Sequence, residues 1–191
     1  EEAFVSTGSN VFDLPRLKKV YEPKEPTCGR LVREGRKVRF IRQSSGPLRI
    51  YRFPDEVVAG GFYMVGADSK QATVGDYCCA QALNRKSWER VAVLREKGDQ
   101  NTFGDHLINL AMFYDKAMIA PETGLGGGSA VVGHIFAKGY ENVYQHRKTN
   151  KMPGQLDQTW GWVTNAQTKP EAIGNLQSAI YDATTEPFYS R

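Results

Sequence analysis

Asp68 and Glu122 each stand where an apolar, strand-like run gives way to a loop containing glycine. Phe62-Tyr63-Met64-Val65-Gly66-Ala67 leads into Asp68, and Ala117-Met118-Ile119-Ala120-Pro121 leads into Glu122. Two carboxylates delivered by neighbouring strands would share one small volume. Like charges held that close repel, and a bound divalent cation relieves the repulsion. The chemistry such a pair points to is metal-dependent phosphoryl transfer.

The other residue types with chemical potential are less organised. His106, His134 and His146 lack metal-ligand spacing and read as surface or core residues. Asp76 is a candidate metal ligand or the cap of a turn before a strand. Gly124, Gly126, Gly127 and Gly128 stand between a strand and a helix, as a phosphate loop would, but without a repeated βαβ context. They equally serve a backbone that passes close to a metal site or to DNA. Trp160 and Trp162 share a strand face and read as core packing, with base stacking as the alternative. Cys28, Cys78 and Cys79 are odd in number. An extended Cys78-Cys79 pair faces opposite ways, which argues against a disulfide framework and for a reducing compartment.

The elements that must position the two acids follow from the order of runs along the chain. Three strands, 62–68, Tyr77 to Leu83 and Arg90 to Leu94, form an antiparallel meander, the last two joined by Asn84-Arg85-Lys86-Ser87. A helix follows, capped by Asn101 or Thr102, with Phe103, Leu107, Leu110, Ala111 and Tyr114 on one face. Next come the short strand before Glu122, a helix from Ser129 to Lys138 stopped by Gly139, and a fifth strand, Val143 to His146. Three antiparallel strands followed by α-β-α-β is the ribonuclease H topology, in which the first and fourth strands lie side by side. That adjacency brings Asp68 and Glu122 together.

Length and composition are those of one domain with a substantial core: 191 residues, 40% hydrophobic and 24% charged. No apolar run approaches the roughly 20 residues of a membrane span. The opening Glu1-Glu2-Ala3-Phe4 reads as the middle of a longer protein, with 1–27 a Pro-rich junction segment and 28–191 the domain. Charge is uneven. Arg30, Arg33, Arg36, Lys37, Arg39, Arg42, Arg49 and Arg52 against Glu34 give +7 between Cys28 and Phe53, leaving −3 elsewhere in a total of +4. This asymmetry fits a polyanionic partner, and equally a solvated strand edge guarded by charge. Arg39 to Arg42 and Arg49 to Phe53 read as a hairpin turned by Ser44-Ser45-Gly46-Pro47. Val143 to Arg147 and Trp160 to Thr164 flank a polar stretch and read as a long hairpin carrying Arg147, Lys148 and Lys151. Thr168-Lys169-Pro170-Glu171 has capping-box spacing before an apolar stripe of Ala172, Ile173, Leu176 and Ile180.

These residues together resemble the nuclease domain of the large terminase subunit of tailed phages. Glu1 to Gly8 with Val11-Phe12-Asp13 looks like the junction between that family's ATPase and nuclease domains. Gly66-Ala67-Asp68 with Gly75-Asp76-Tyr77 is similar to the first catalytic strand and its return. Ala120-Pro121-Glu122, the glycine-rich loop and Gly139-Tyr140-Glu141-Asn142-Val143-Tyr144 resemble the second acidic motif and the strand behind it. Gly161-Trp162-Val163-Thr164-Asn165 with Thr168-Lys169-Pro170 is similar to a further landmark.

The resemblance implies a ribonuclease H-like α/β fold and an endonuclease that cuts concatemeric double-stranded DNA with two Mg²⁺ or Mn²⁺ ions about 4 Å apart. Asp68 would bridge both ions and Glu122 would bind one, with Asp76 or Asp182 as candidate additional ligands. DNA would be gripped by Arg39, Arg42, Arg49, Arg147, Lys148, Lys151 and Lys169. The implied partners are the small terminase subunit and the procapsid portal, in the cytoplasm of an infected bacterial host, with no membrane. The family's third metal-binding aspartate, in an acidic pair on a late helix, has no counterpart here, and a missing C-terminal tail is the expectation. No Gly-x-x-x-x-Gly-Lys-Ser/Thr loop occurs, so this segment is not expected to drive translocation. Two rival readings remain: a DNA-gripping module without its own cleavage, and an actin-like ATPase that uses an early aspartate with glycine loops.

Overall fold

Period-two burial along three consecutive runs builds the centre of the molecule. In the computed structural model, which describes residues 11–12, 15, 24–54, 62–69, 76–124, 128–149 and 156–181, these are β4 (Tyr63–Asp68), β5 (Cys78–Asn84) and β6 (Arg90–Glu96). Tyr63, Val65 and Ala67 are buried while Met64, Gly66 and Asp68 face the other way, and β5 alternates likewise. Before this meander come β1 (Thr27–Glu34), β2 (Lys37–Arg42) and β3 (Leu48–Ile50). After it come α1 (Gln100–Phe113), β7 (Met118–Pro121), α2 (Gly128–Ala137), β8 (Gln145–Thr149), β9 (Leu156–Trp160) and α3 (Thr168–Tyr181).

One seven-stranded sheet runs β2-β1-β3-β6-β5-β4-β7, and β8 pairs with β9 in a separate ribbon. Only β4 and β7 pair in parallel within the large sheet. The segment β4-β5-β6-α1-β7 is the ribonuclease H arrangement expected from the order of elements, with β1 to β3 extending it beyond β6. Helix α1 covers one face. Its Phe103, Leu107, Leu110 and Ala111 are fully buried, and Tyr114 behind it packs its ring 5.1 Å from that of Tyr63. The Tyr114 hydroxyl donates to the Arg52 carbonyl at 2.7 Å, so the buried phenol keeps a partner. Helix α2 lies against α1 and adds Val131 and Ile135 to the same core.

Four expectations change. First, the helix cap is Asp99: its carboxylate accepts from the backbone N–H groups of both Asn101 and Thr102, and an ionised side chain with two oxygens serves a helix start better than either of its neighbours. Secondly, 39–42 and 49–53 do not pair with each other. The hairpin is β1–β2, closed by Gly35-Arg36 with Gly35 at φ +62° and Glu34 opposite Lys37. Strand β3 instead lies between β1 and β6, where Leu48 and Ile50 are all but fully buried; apolar burial outweighs the nearest-neighbour pairing.

Thirdly, the fifth strand shrinks to a single parallel bridge, Val143 against Ile119. Beyond Tyr144 the residues are polar, and the chain departs into the β8–β9 ribbon. The expected long hairpin survives in shifted form, from Gln145 to Trp160. Fourthly, the capping box at α3 begins at Asn165. Its side chain accepts from the N–H groups of Gln167 and Thr168, while the Thr168 hydroxyl accepts from the Asn165 N–H. Among the described residues no helix is long and apolar enough to cross a membrane.

Candidate metal centre and the sheet face around it

Parallel register decides where the two acids go. Met64, Val65, Gly66 and Ala67 of β4 stand beside Met118, Ile119, Ala120 and Pro121 of β7, so the next step along both strands is Asp68 beside Glu122. The Glu122 N–H donates to the Ala67 carbonyl at 2.7 Å, carrying the ladder one residue past the strand. Residues that are partners in a parallel pair share a face, and Asp68 and Glu122 share the one turned away from α1. Glycine and alanine precede them there, at Gly66 and Ala120. A cleft of about 390 Å³ opens over these small residues, lined by Met64, Gly66, Ala67, Ala120, Glu122, Tyr144 and Trp162.

The loop after Glu122 is held by glycines. A side chain at Gly128, the first residue of α2, would collide with the Glu122 carbonyl, and one at Gly124 would lie 3.0 Å from the Thr164 carbonyl oxygen. Gly161 has φ +84°, and a methyl there would lie 2.5 Å from both the Pro121 carbonyl oxygen and the Thr123 side chain. The turn at Gly161 sends the Trp162 N–H to the Pro121 carbonyl, while the Thr123 N–H donates to the Trp162 carbonyl. Segment 161–162 therefore clamps the end of β7, filling the edge that a regular fifth strand would have occupied. The described ends of the glycine-rich loop thus have a packing role, and 125–127 lie outside the described residues.

The same turn separates the two tryptophans, which do not share a face. Trp160 ends β9 half-exposed, with its ring 5.0 Å from Phe136, whereas Trp162 joins the cleft wall. His146 sets its ring edge-on to Trp162 at 5.4 Å. The other histidines serve ion pairs behind the sheet: His106 Nδ1 meets Glu96 at 2.7 Å, and His134 Nε2 meets Asp105 at 2.9 Å. Neither lies with the two acids.

Two neighbours of the site were not singled out in the sequence. Cys79 is the cross-strand partner of Asp68, and Arg95 is the partner of Cys79 on the next strand. Burial first, and the Asp68 carboxylate second, push the Cys79 thiol up, so it stays protonated at neutral pH. The signal was available in the meander, because pairing the strand before Asp68 with its return leaves only Cys78 or Cys79 opposite the acid.

The remaining candidates are scattered. Asp76 is exposed two residues ahead of β5, at the acid end of the sheet, and Asp182 lies outside the described residues. Among the described residues no group of three or more His, Cys, Asp or Glu side chains is arranged to hold a metal ion. Arg39, Arg42 and Arg49 are all exposed, and Arg39 pairs with Glu34. Arg147 and Lys148 belong to β8, Lys151 lies outside the described residues, and Lys169 is exposed in the first turn of α3.

No protein-family model and no curated protein sequence matches the chain. Solved structures do. It is similar to the large terminase nuclease from thermophilic phage G20c with bound cobalt, at 16% identity and a TM-score of 0.58, covering 91% of this chain and 71% of that one. The same nuclease with bound magnesium gives 16% identity and a TM-score of 0.56 over the same shares. With bound zinc the values are 16% and 0.54, covering 90% of this chain and 77% of the other. The chain shares the ribonuclease H-like fold of these large terminase nucleases, as the resemblance in its motifs anticipated.

Proposed function

We propose that the chain is the nuclease domain of a DNA-packaging terminase, an endonuclease that hydrolyses phosphodiester bonds of concatemeric double-stranded DNA at Asp68 and Glu122. The observation that carries this reading is the parallel β4–β7 register, which makes Asp68 and Glu122 neighbours on the open face of the sheet, with Glu122 lining a cleft. The donor set fits hard divalent cations, since carboxylate oxygens suit Mg²⁺ or Mn²⁺. Such ions, when bound, would supply an activated water and stabilise the leaving oxygen. Asp68 and Glu122 would hold them, and a further carboxylate such as Asp76 or Asp182 would complete the set.

The chain's own contribution is position and charge. Gly128 and the 161–162 clamp hold the Glu122 backbone, and Tyr144 and Trp162 wall the cleft in which a phosphodiester would lie. Similarity to nucleases solved with magnesium, cobalt and zinc supports the reading. As parts of the same proposal, the small terminase subunit and the portal are its partners, and the host cytoplasm is its site of action. A second reading, a DNA-gripping module without its own cleavage, is favoured by one observation: no third carboxylate joins the pair among the described residues.

Plasmid cleavage separates the readings. Asp68→Asn and Glu122→Gln each abolish Mg²⁺- or Mn²⁺-dependent cutting while leaving the melting temperature near that of the wild type, since each removes charge that a divalent ion requires. A folded variant that cuts at the wild-type rate removes that residue from the site. A wild-type domain that binds DNA and never cuts, even when extended at its C-terminus, supports the gripping module.

A further inference from the structure

Sheet register sorts the arginines of the basic segment into two sets, which the sequence alone could not do. Starting from Asp68 and stepping across cross-strand partners on its own face, the row reaches Cys79 and then Arg95. Two residues back along the same strands, Gly66 is paired with Gln81 and Gln81 with Val93, whose partner on β3 is Arg49. Arg49 is paired in turn with Cys28, and Arg30 follows Cys28 on the same face of β1. Arg30, Arg49 and Arg95 are all exposed. They therefore lie on the face that carries Asp68 and Glu122. Arg33 and Arg42 belong to the opposite face, with Leu31 and Phe40, and Arg36 sits in the β1–β2 turn.

Two further observations separate a binding row from a merely solvated edge. The Arg95 guanidinium lies 3.7 Å from the centre of the Tyr77 ring, with Lys97 at 5.0 Å from the same ring, so this cation pair is held against an aromatic face two strands from Asp68. On the same face of the far strand, Arg39 is paired with Glu34, whereas Arg30 and Arg49 lie on β1 and β3, between that edge and the acids.

We propose that duplex DNA lies across this open face, with Arg30, Arg49 and Arg95 contacting successive backbone phosphates on the way to Asp68 and Glu122. This deepens the nuclease reading and rests on it for the identity of the polyanion. Four strand steps separate β4 from β1, about 19 Å at the usual spacing of about 4.8 Å. At about 3.4 Å per base pair that is between five and six base pairs, short enough for one side of a duplex to reach both ends.

The test is binding of labelled duplex DNA in EDTA across a range of salt, so that neither cutting nor metal enters. Replacing Arg30, Arg49 and Arg95 by Gln lowers the magnitude of the log-affinity against log-salt slope by up to about 2.7, at roughly 0.9 per lost phosphate contact. Replacing Arg33, Arg36 and Lys86, the last of them exposed in the turn between β5 and β6, by Gln removes the same charge and leaves the slope within about one contact of the wild type. Lys at positions 30, 49 and 95 restores the slope, which separates lost contacts from damaged folding. Equal slopes for wild type and the open-face variant, equal losses in both triple variants, or no salt-dependent binding by the wild type each overturn the proposal. Failure of the nuclease reading shows separately, as a wild type that binds with the predicted slope and does not cut plasmid under any divalent condition.

Discussion

Asp68 and Glu122 stood out in the sequence because each ends an apolar run at a loop, and a fold that pairs the first and fourth strands sets the two ends next to each other. The structure adds what a one-dimensional pattern cannot hold: Cys79 lies beside Asp68 through cross-strand pairing and Arg95 one strand further on, and Tyr144 and Trp162 arrive from segments more than twenty residues away from either acid. The histidines were read as surface or core groups, and two of them form ion pairs. Of these, His106 has a measurable consequence. Its hydrogen bond to the Glu96 carboxylate raises its pKa against the opposing effect of burial. A raised folded-state value means that the charged form adds stability in full below the unfolded value of about 6.5, and that this is lost as pH rises through the folded value. With the His106 side chain 41% exposed, solvent screening keeps the effect under about 1 kcal/mol. Urea unfolding should therefore show His106→Gln costing more stability near about pH 5.5 than near about pH 8.5. An equal cost at both would contradict a stabilising charged pair.

At the scale of elements, the meander, α1 and the short β7 were legible from periodicity, since each buries one face against the same core. The basic segment was misread for a physical reason. Local turn residues favoured pairing 39–42 with 49–53, whereas burial of Leu48 and Ile50 between β1 and β6 dominates. The fifth strand also failed: it shrinks to a single bridge, and the residues after Tyr144 are polar. Its edge is filled by the turn at Gly161, a backbone role that no spacing rule reveals. Gly161→Ala meets a left-handed φ that costs about 1–2 kcal/mol and a clash with the Pro121 carbonyl, and Gly128→Ala drives a methyl into that of Glu122. Both should reduce divalent-dependent cleavage on the order of 100-fold through a displacement of about 1 Å, a far larger effect than on DNA binding in EDTA. Wild-type cleavage by folded Gly161→Ala would show that the clamp does not position Glu122.

Across the whole molecule, the two faces of the large sheet divide the work. One is covered by α1, with α2 against it, and carries the aromatic and aliphatic core; the other carries Asp68, Glu122, Arg30, Arg49 and Arg95. Small residues at Gly66 and Ala120 leave a cleft on that face beside Glu122. Only the division into layers could be anticipated from the sequence, because which arginines share the acids' face depends on the register of strands far apart in the chain. The account stands or falls on whether the two carboxylates act on one metal centre. Crystals of the domain soaked in Mn²⁺ and measured for anomalous scattering test this directly. The account predicts an anomalous peak within bonding distance of carboxylate oxygens of both Asp68 and Glu122, lost in Asp68→Asn; saturating Mn²⁺ that leaves no peak between them, or places it on other residues alone, would contradict it.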